Sequence, residues 1–266
     1  MGRGRHVAFF EDSRGDWWVP SGDGLFRFTG IRSPDDLDDR APTAFYTTRD
    51  GLAGGDIWRL FEDSRGDIWI ATRVPGREVL TRWDHASERF QRYGQSDGLP
   101  PYNAVIAFAE DRAGHVWVGF WDGGAARLRS GRFEVLPALR DPIIAWHVSR
   151  TGTLWGASLG SGLIRIDNPA AIHPEIETFG TSDGLPSDRV VAITEDDQGR
   201  LYAGSLLGVT RLDPSTGDLR QYTAEDGLAR SEVTSAFRDR TGTLWFGTNA
   251  GISRLMPQDA EPSVAT

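Results

Sequence analysis

Six residues of this sequence have side chains suited to holding a polar organic ligand: Tyr102, Asn103, Trp121, Asp122, Trp146 and Arg189. Indole and phenol rings stack on the apolar faces of sugars, while carboxylate, amide and guanidinium groups bind hydroxyls at the ring edge. This combination predicts a non-catalytic site for a small molecule or an oligosaccharide.

Residues that could perform catalysis do not group in the same way. The five histidines stand at positions 6, 85, 115, 147 and 173, without the spacing of metal ligands. A phosphate-binding glycine loop and a nucleophile elbow are also absent from the sequence. We therefore expect no catalytic residue, no metal and no cofactor. Two alternatives stay open: a propeller lyase or hydrolase in which His147 meets Glu232 beside a divalent cation, and a scaffold for protein contacts.

The elements that position these residues come from an internal repeat. The segment FEDSRGD occurs at Phe10–Asp16 and again at Phe61–Asp67, so its Arg-Gly-Asp tripeptide belongs to the repeat rather than to an adhesion signal. The pattern glycine, any residue, apolar residue, aromatic residue recurs 38 to 51 residues apart, at Gly15, Gly66, Gly114, Gly152, Gly199 and Gly242. Six copies of one unit are present.

Each copy has the pattern of a short antiparallel sheet: strand, turn, strand, turn, strand and, in several copies, a fourth strand. Four strands in a unit of this length are typical of one propeller blade. The fold is therefore predicted to be all-β, a single β-propeller of six four-stranded blades over residues 1–256. A disordered or extended tail is expected over 257–266. Because the last copy ends after its third strand and no strand swap is evident, the alternative is an arc of a seven-bladed or larger propeller.

Residues that recur in every copy are expected to build the fold. They are the aromatic residues Trp18, Trp69, Trp117, Trp155, Tyr202 and Trp245, and the arginines Arg27, Arg82, Arg127, Arg165, Arg211 and Arg254. The aromatic residues are predicted to form the core between blades, and the arginines to pair with turn carboxylates or strand-edge carbonyls.

Function is expected where the copies disagree. Trp121 stands where other copies have glycine, arginine, leucine or asparagine, and Tyr102 lies in a link that is one residue longer than its counterparts. The fourth copy deviates most, with Trp146 and His147 in its first strand and Arg150 in place of the turn aspartate. We expect the ligand on the face formed by the links that enter the innermost strands, towards blades three to five.

Composition excludes several other classes of protein. A net charge of −9 argues against nucleic-acid binding, which needs a basic face. The chain has no cysteine and therefore no disulfide scaffold or thiolate metal site. No apolar run approaches the roughly 20 residues of a membrane helix, so no membrane insertion is expected. A secretory signal pattern is also absent from the first residues.

One passage carries a family resemblance. DGLPSDRVVAITEDDQGRLYAGS, followed by GVTRLD, resembles the two-component regulator propeller repeat, and the resemblance extends from about His6 to Leu255. In that family the repeats form extracytoplasmic sensor domains of bacterial hybrid histidine kinases, many of which respond to carbohydrates. The resemblance implies a periplasmic or extracytoplasmic sensor whose partner is a kinase or another signalling module outside this chain. Without a signal-peptide pattern, the cytoplasm stays open as a location.

Overall fold

A computed structural model describes residues 9–37, 40–74, 77–101 and 104–257. Nearly all regular structure in these residues is antiparallel β-sheet. The helical segments described are single 3-10 turns, at Pro34–Leu37, Gln95–Asp97, Thr181–Asp183 and Ala224–Asp226. None of them approaches the length that a membrane span requires.

The described chain divides into two compact units, with the boundary after Pro142. The first unit holds three four-stranded sheets. Sheet 1 consists of β1 (Phe10–Glu11), β2 (Trp17–Pro20), β3 (Leu25–Phe28) and β4 (Ala44–Tyr46). Sheet 2 consists of β5 (Ile57–Glu62), β6 (Ile68–Val74), β7 (Arg77–Asp84) and β8 (Arg89–Tyr93). Sheet 3 consists of β9 (Val105–Glu110), β10 (Val116–Phe120), β11 (Ala125–Arg129) and β12 (Arg132–Val135).

The second unit begins at Ile143 and also holds three sheets. Sheet 4 consists of β13 (Ile143–Val148), β14 (Leu154–Ser158), β15 (Leu163–Asp167) and β16 (Glu175–Phe179). Sheet 5 consists of β17 (Val190–Glu195), β18 (Leu201–Ser205), β19 (Gly208–Leu212) and β20 (Leu219–Tyr222). Sheet 6 consists of β21 (Val233–Arg238), β22 (Leu244–Thr248) and β23 (Gly251–Leu255).

The six sheets confirm the predicted all-β repeat architecture. Within every sheet each strand pairs with the next strand along the chain, as in a propeller blade. Five sheets have the predicted four strands, whereas sheet 6 has three among the described residues. This difference agrees with the missing fourth-strand pattern after Leu255. Apart from Pro257, the predicted tail lies outside the described residues.

An aspartate fixes the first hairpin turn of each typical repeat. In the first repeat, Asp12 Oδ1 accepts the backbone N–H groups of Arg14 at 3.0 Å and Asp16 at 2.9 Å. Its other oxygen accepts Nε1–H of Trp18 at 3.0 Å. The same three bonds recur at Asp63, Asp111, Asp196 and Asp239, with the hydroxyl of a tyrosine as the third donor at Asp196. One carboxylate thus orients both the turn and the core ring.

Each repeated arginine stands directly opposite the repeated aromatic residue on the neighbouring strand. Trp18 is opposite Arg27, and all five later repeats have the same register. In the first four repeats the guanidinium carbon lies 5.4–5.8 Å from the indole centroid. Arg27 also forms an ion pair with Asp16 at 2.7 Å. Arg27, Arg82, Arg127 and Arg165 each form an ion pair and also stack on the core ring, whereas the pairing predicted for Arg211 and Arg254 stays a prediction.

The repeated rings form the core as predicted, except in the last sheet. The first five, through Tyr202, are at most 2% exposed. Trp245 is only half-buried, and the neighbouring Phe237 and Ile252 are 64% and 73% exposed. Ile252 occupies the repeat position of Leu163, which is fully buried. The face of sheet 6 that carries Trp245 therefore leaves two large apolar side chains accessible.

A second acidic residue connects adjacent sheets. Glu62 in sheet 2 accepts the backbone N–H and the hydroxyl of Ser13, in the turn of sheet 1, both at 2.7 Å. Glu110 accepts the same two groups of Ser64, at 2.5 and 2.8 Å. Glu195 likewise accepts the backbone N–H of the Arg150 residue at 3.0 Å. Each glutamate thus completes the hairpin turn of the preceding repeat, an arrangement we call the inter-repeat clamp.

The clamp between sheets 5 and 6 has donor and acceptor exchanged. Arg238 stands at the glutamate position of the sixth repeat, and Asp197 stands at the serine position of the fifth. Nη2 of Arg238 donates to the Asp197 carboxylate. Both partners have changed together, so the contact between the turns is kept by an ion pair.

Candidate functional site

Trp121 has the accessible ring that was expected of a ligand contact. It lies in the turn between β10 and β11, and its side chain is 55% exposed. Its backbone N–H donates to the carbonyl oxygen of Ala104 at 2.9 Å. Gly123 follows with φ +108°, and a Cβ atom there would collide with the carbonyl oxygen of Arg140. Glycine is therefore required for this turn, which fixes the backbone beneath the exposed indole.

A second tryptophan lies beside Trp121. Trp58, on β5, has its ring centroid 6.4 Å from that of Trp121, and the two planes are inclined by 53°. Its Nε1–H donates to the carbonyl oxygen of Val105 at 3.1 Å, so the indole is held in place. The guanidinium carbon of Arg73 lies 4.9 Å from the Trp58 centroid. We call Trp58, Trp121 and Arg73 the indole cluster.

Carboxylates stand near the indole cluster in sequence. Asp122 follows Trp121 directly and is exposed, in agreement with its predicted position on an accessible turn. Asp56, two residues before Trp58, is also exposed, and its carbonyl oxygen accepts the backbone N–H of Arg73 at 2.8 Å. The first unit therefore presents aromatic, cationic and anionic groups on neighbouring turns.

The other predicted site residues have different surroundings. Tyr102 and Asn103 lie outside the described residues. Trp146 and Arg189 belong to the second unit, whereas Trp121 and Asp122 belong to the first. The ring of Trp146 is half-buried against Gly156 of β14, where an added Cβ would lie 2.8 Å from it. Arg189 is exposed in the link before β17, and its backbone N–H donates to Ser187 Oγ at 3.1 Å.

The histidine and glutamate considered for a lyase do not pair with each other. Nε2 of His147 lies 3.1 Å from Oε2 of Glu195, which is 5% exposed. Glu232 instead accepts from the side-chain amide of Asn249. Within the described ranges, no group of three His, Cys, Asp or Glu residues could hold a metal ion. The pairing of His147 with Glu232 was therefore wrong, because the inter-repeat clamp supplies a closer carboxylate.

The fourth repeat also needs a correction in register. Counted back from Gly152, the residue at the position of the turn aspartate is Ser149, not Arg150. Arg150 occupies the next position, which is Ser13 in the first repeat. Its backbone N–H accordingly donates to the clamp glutamate, as that of Ser13 does.

Sequence reasoning did not single out Trp58 as a site residue. At its repeat position other copies have aliphatic or hydroxyl side chains, namely Ile106, Ile144, Val191 and Thr234. An aromatic residue that the repeat does not require was the signal, the same one that identified Trp121.

Comparison with protein families agrees with the repeat. Residues 41–73, 184–206 and 227–250 match the model described as the two component regulator propeller. The resemblance seen in the sequence is therefore confirmed for these repeats. No curated protein matched the chain.

Three solved structures illustrate the likeness in fold. The extracellular domain of a putative hybrid two component system from B. thetaiotaomicron is 18% identical, with TM-score 0.63, over 97% of this chain and 39% of that chain. A catalytically inactive virginiamycin B lyase from Staphylococcus aureus, solved with quinupristin, is 16% identical, with TM-score 0.66, over 92% and 82%. PorZ, a surface component of the type-IX secretion system of Porphyromonas gingivalis, is 16% identical, with TM-score 0.67, over 92% and 37%.

These similarities show the fold: the six sheets are blades of a β-propeller. The chain spans about two fifths of the length of the extracellular domain it matches. Because identity is below 20% in all three cases, function has to be argued from the residues of this chain.

Proposed function

We propose that this chain, three segments of which match the two component regulator propeller, is a ligand-sensing β-propeller without catalytic activity of its own. Its ligand is a carbohydrate or another small polar molecule. Its partner is a kinase or another signalling module, and its location is extracytoplasmic, most simply the periplasm. The likeness to the extracellular domain of a putative hybrid two component system supports this proposal.

The observation that carries the proposal is the exposed indole of Trp121. An aromatic side chain that large is normally buried, yet 55% of its surface is accessible and the repeat does not require it. Its turn is fixed by backbone hydrogen bonds and by Gly123, so little entropy is lost when a ligand stacks on the ring. Trp58 extends the aromatic surface, and Asp122 offers a carboxylate to ligand hydroxyls.

A lyase is the weaker alternative. It retains the fold likeness to virginiamycin B lyase, but His147 and Glu232 each have other partners. A general base needs to reach a substrate proton, and the Glu195 carboxylate is committed to the clamp. A role as a protein-contact scaffold is favoured by one other feature, the accessible apolar side chains Phe237 and Ile252 of sheet 6.

Melting temperature measured against a panel of glycans tests the proposal, because a bound ligand raises it by mass action. Trp121→Ala should weaken binding by about 1–3 kcal/mol and leave the melting temperature of the free protein nearly unchanged. Leu206→Ala is the matched control, since Leu206 is a 45% exposed apolar residue in the corresponding turn of sheet 5. It should retain ligand binding.

Trp117→Ala provides the opposite comparison. Trp117 is fully buried and hydrogen-bonded to Asp111, so its truncation should lower stability by about 3–5 kcal/mol. If Trp121→Ala destabilises the protein to the same extent, or binds every ligand as the wild type does, the site assignment is wrong. Ligand turnover without any stabilisation would support the lyase instead.

A further inference from the structure

The turn of the fourth repeat lacks the acceptor around which every other turn is built. In those five repeats two backbone N–H groups and one ring donor converge on an aspartate carboxylate. In the fourth repeat this position is Ser149, which is 6% exposed. Its hydroxyl is only 2.8 Å from that of Thr151 and reaches none of the corresponding donors.

The three donors themselves are still in place. They are the backbone N–H groups of Thr151 and Thr153 and Nε1–H of Trp155, whose side chain is 2% exposed. The structure gives none of the three an acceptor within 9–37, 40–74, 77–101 or 104–257. Thr151 is exposed and Thr153 is half-buried, so these N–H groups can bond to water or to an anion that enters from the solvent.

These donors lie at the wall of a cleft of about 510 Å³ between the first turns of sheets 4 and 5. Ser149, Thr151, Thr153 and Trp155 all line it, so a ligand can approach the position that an aspartate side chain fills elsewhere. Both sheets belong to the second unit.

The charges of the cleft select the kind of ligand. Three arginines line it, namely Arg150, Arg165 and Arg200, together with three acids, Glu195, Asp197 and Asp213. The arginines are held in ion pairs with Asp197 at 2.8 Å, Asp167 at 2.9 Å and Asp196 at 2.6 Å. Because arginines and acids are equally numerous, this wall favours a ligand with one negative charge over a ligand with two. The carboxylates of the wall can accept hydrogen bonds from hydroxyl groups of the ligand.

We propose that the fourth repeat binds a small hydroxylated carboxylic acid, such as an acidic sugar. The carboxylate of this ligand takes the place of the absent aspartate and accepts from Thr151, Thr153 and Trp155. The planar carboxylate is the group that the same three donors hold in the other repeats. This site is separate from the indole cluster and does not depend on the function proposed for it.

Ser149→Asp tests the proposal by supplying the carboxylate from the chain itself. Melting temperature is measured with increasing glucuronate, and with glucose as the neutral counterpart of the same shape. The wild-type protein should show a saturable rise with glucuronate and none with glucose. Ser149→Asp should melt a few degrees higher without ligand and lose the response to glucuronate.

Two further variants separate this role from general effects. Trp155→Phe retains the ring but removes Nε1–H, and should weaken glucuronate binding about tenfold. Ser235→Asp adds the same charge at an exposed position of β21, outside the residues that line the cleft, and should respond like the wild type. Ser149→Asp changes no residue of the indole cluster and should keep whatever response the wild type shows to neutral glycans, so failure here and failure of the indole cluster are distinguishable.

Four results would overturn the proposal. The first is no response of the wild type to glucuronate, which would mean that the donors hold only water. The second is an equal response to sulfate, which would indicate a general anion site. The third is a Ser149→Asp variant that melts lower than the wild type, and the fourth is one that still responds to glucuronate.

Discussion

Replacing Asp63 by serine would give the second repeat the turn that the fourth repeat has naturally. The Asp63 carboxylate is buried, with 3% of the residue exposed. It accepts the backbone N–H groups of Arg65 at 3.0 Å and Asp67 at 3.1 Å, Nε1–H of Trp69 at 2.9 Å and Nη2–H of Arg65 at 2.8 Å. Serine cannot reach all of these donors, so the change removes most of the turn's hydrogen bonds.

The cost follows from the number of donors that lose their acceptor. A hydrogen bond to a charged group contributes about 1.5–3 kcal/mol, and three of the four donors belong to the backbone or to a fixed indole. The Arg65 side chain retains Asp67, whose carboxylate lies 3.6 Å away. Because bonds in one network are not additive, we expect a loss of about 3–5 kcal/mol. A domain of ordinary stability, about 5–15 kcal/mol, still folds after such a loss.

Urea unfolding at neutral pH measures this loss, with Asp35→Ser as the control. Asp35 is exposed in the 3-10 turn between β3 and β4 of sheet 1, so its variant should lie within about 0.5 kcal/mol of the wild type. Burial alone would raise the pKa of Asp63, but hydrogen bonds from Arg65 and Trp69 outweigh burial and lower it.

The lowered pKa sets the direction of the pH dependence. The stability that the Asp63 carboxylate contributes is fully present above its ordinary pKa of about 3.9 and is lost as the pH falls through the folded-state value. The difference between wild type and Asp63→Ser should therefore be constant near neutral pH and shrink in acid. A loss below about 1 kcal/mol, or a difference that acid leaves unchanged, would refute the reasoning.

Two more predictions concern the last repeat. Replacing Asp197 by serine and Arg238 by glutamate together restores the serine–glutamate clamp of earlier repeats, so the double variant should melt higher than either single variant. A double variant that melts lower than both would contradict the clamp. Hydrogen bonds, first of all from the Thr241 hydroxyl, lower the pKa of Asp239 to about 2. Its contribution should be lost between about pH 4 and pH 2, and Asp239→Asn should flatten the melting curve against pH in that range.

The fold could be predicted because the residues that form each turn and each core position recur in several copies. A glycine such as Gly66, with φ +79°, marks every first turn, and an aromatic residue three positions later marks the core. The register that places Trp18 opposite Arg27 follows from the same spacing in every copy. Side chains that recur at one interval have the same surroundings, so their roles can be inferred from sequence alone.

The site was less predictable because it depends on single residues. Trp121 was expected to be accessible because other copies have no tryptophan at its position, and it is. Trp146 is likewise not shared by other copies, yet it is half-buried. Trp146 occupies the repeat position of Leu60 and Ile193, both buried, and this register would have indicated packing. The cleft of the fourth repeat was missed because Arg150, rather than Ser149, was matched to the aspartate.

The sequence shows glutamate next to aspartate but does not show that the two serve different repeats. Aspartate acts within its own hairpin, over two to six residues. Glutamate acts on the preceding hairpin, 45 to 49 residues away. Two residues adjacent in sequence can thus stabilise different repeats, and this difference is visible only in the folded structure.

The inter-repeat clamp implies an order in which the hairpin turns are completed during synthesis. The turn that contains Ser13 is completed by Glu62, which a ribosome adds 49 residues later. The acceptor of Ser64, Glu110, is likewise synthesised later. At ordinary rates of synthesis, about 5–20 residues per second, each turn stays open for several seconds after its own strands have emerged. Each nascent repeat should therefore become protected from proteolysis only after the clamp residue of the next repeat has been synthesised.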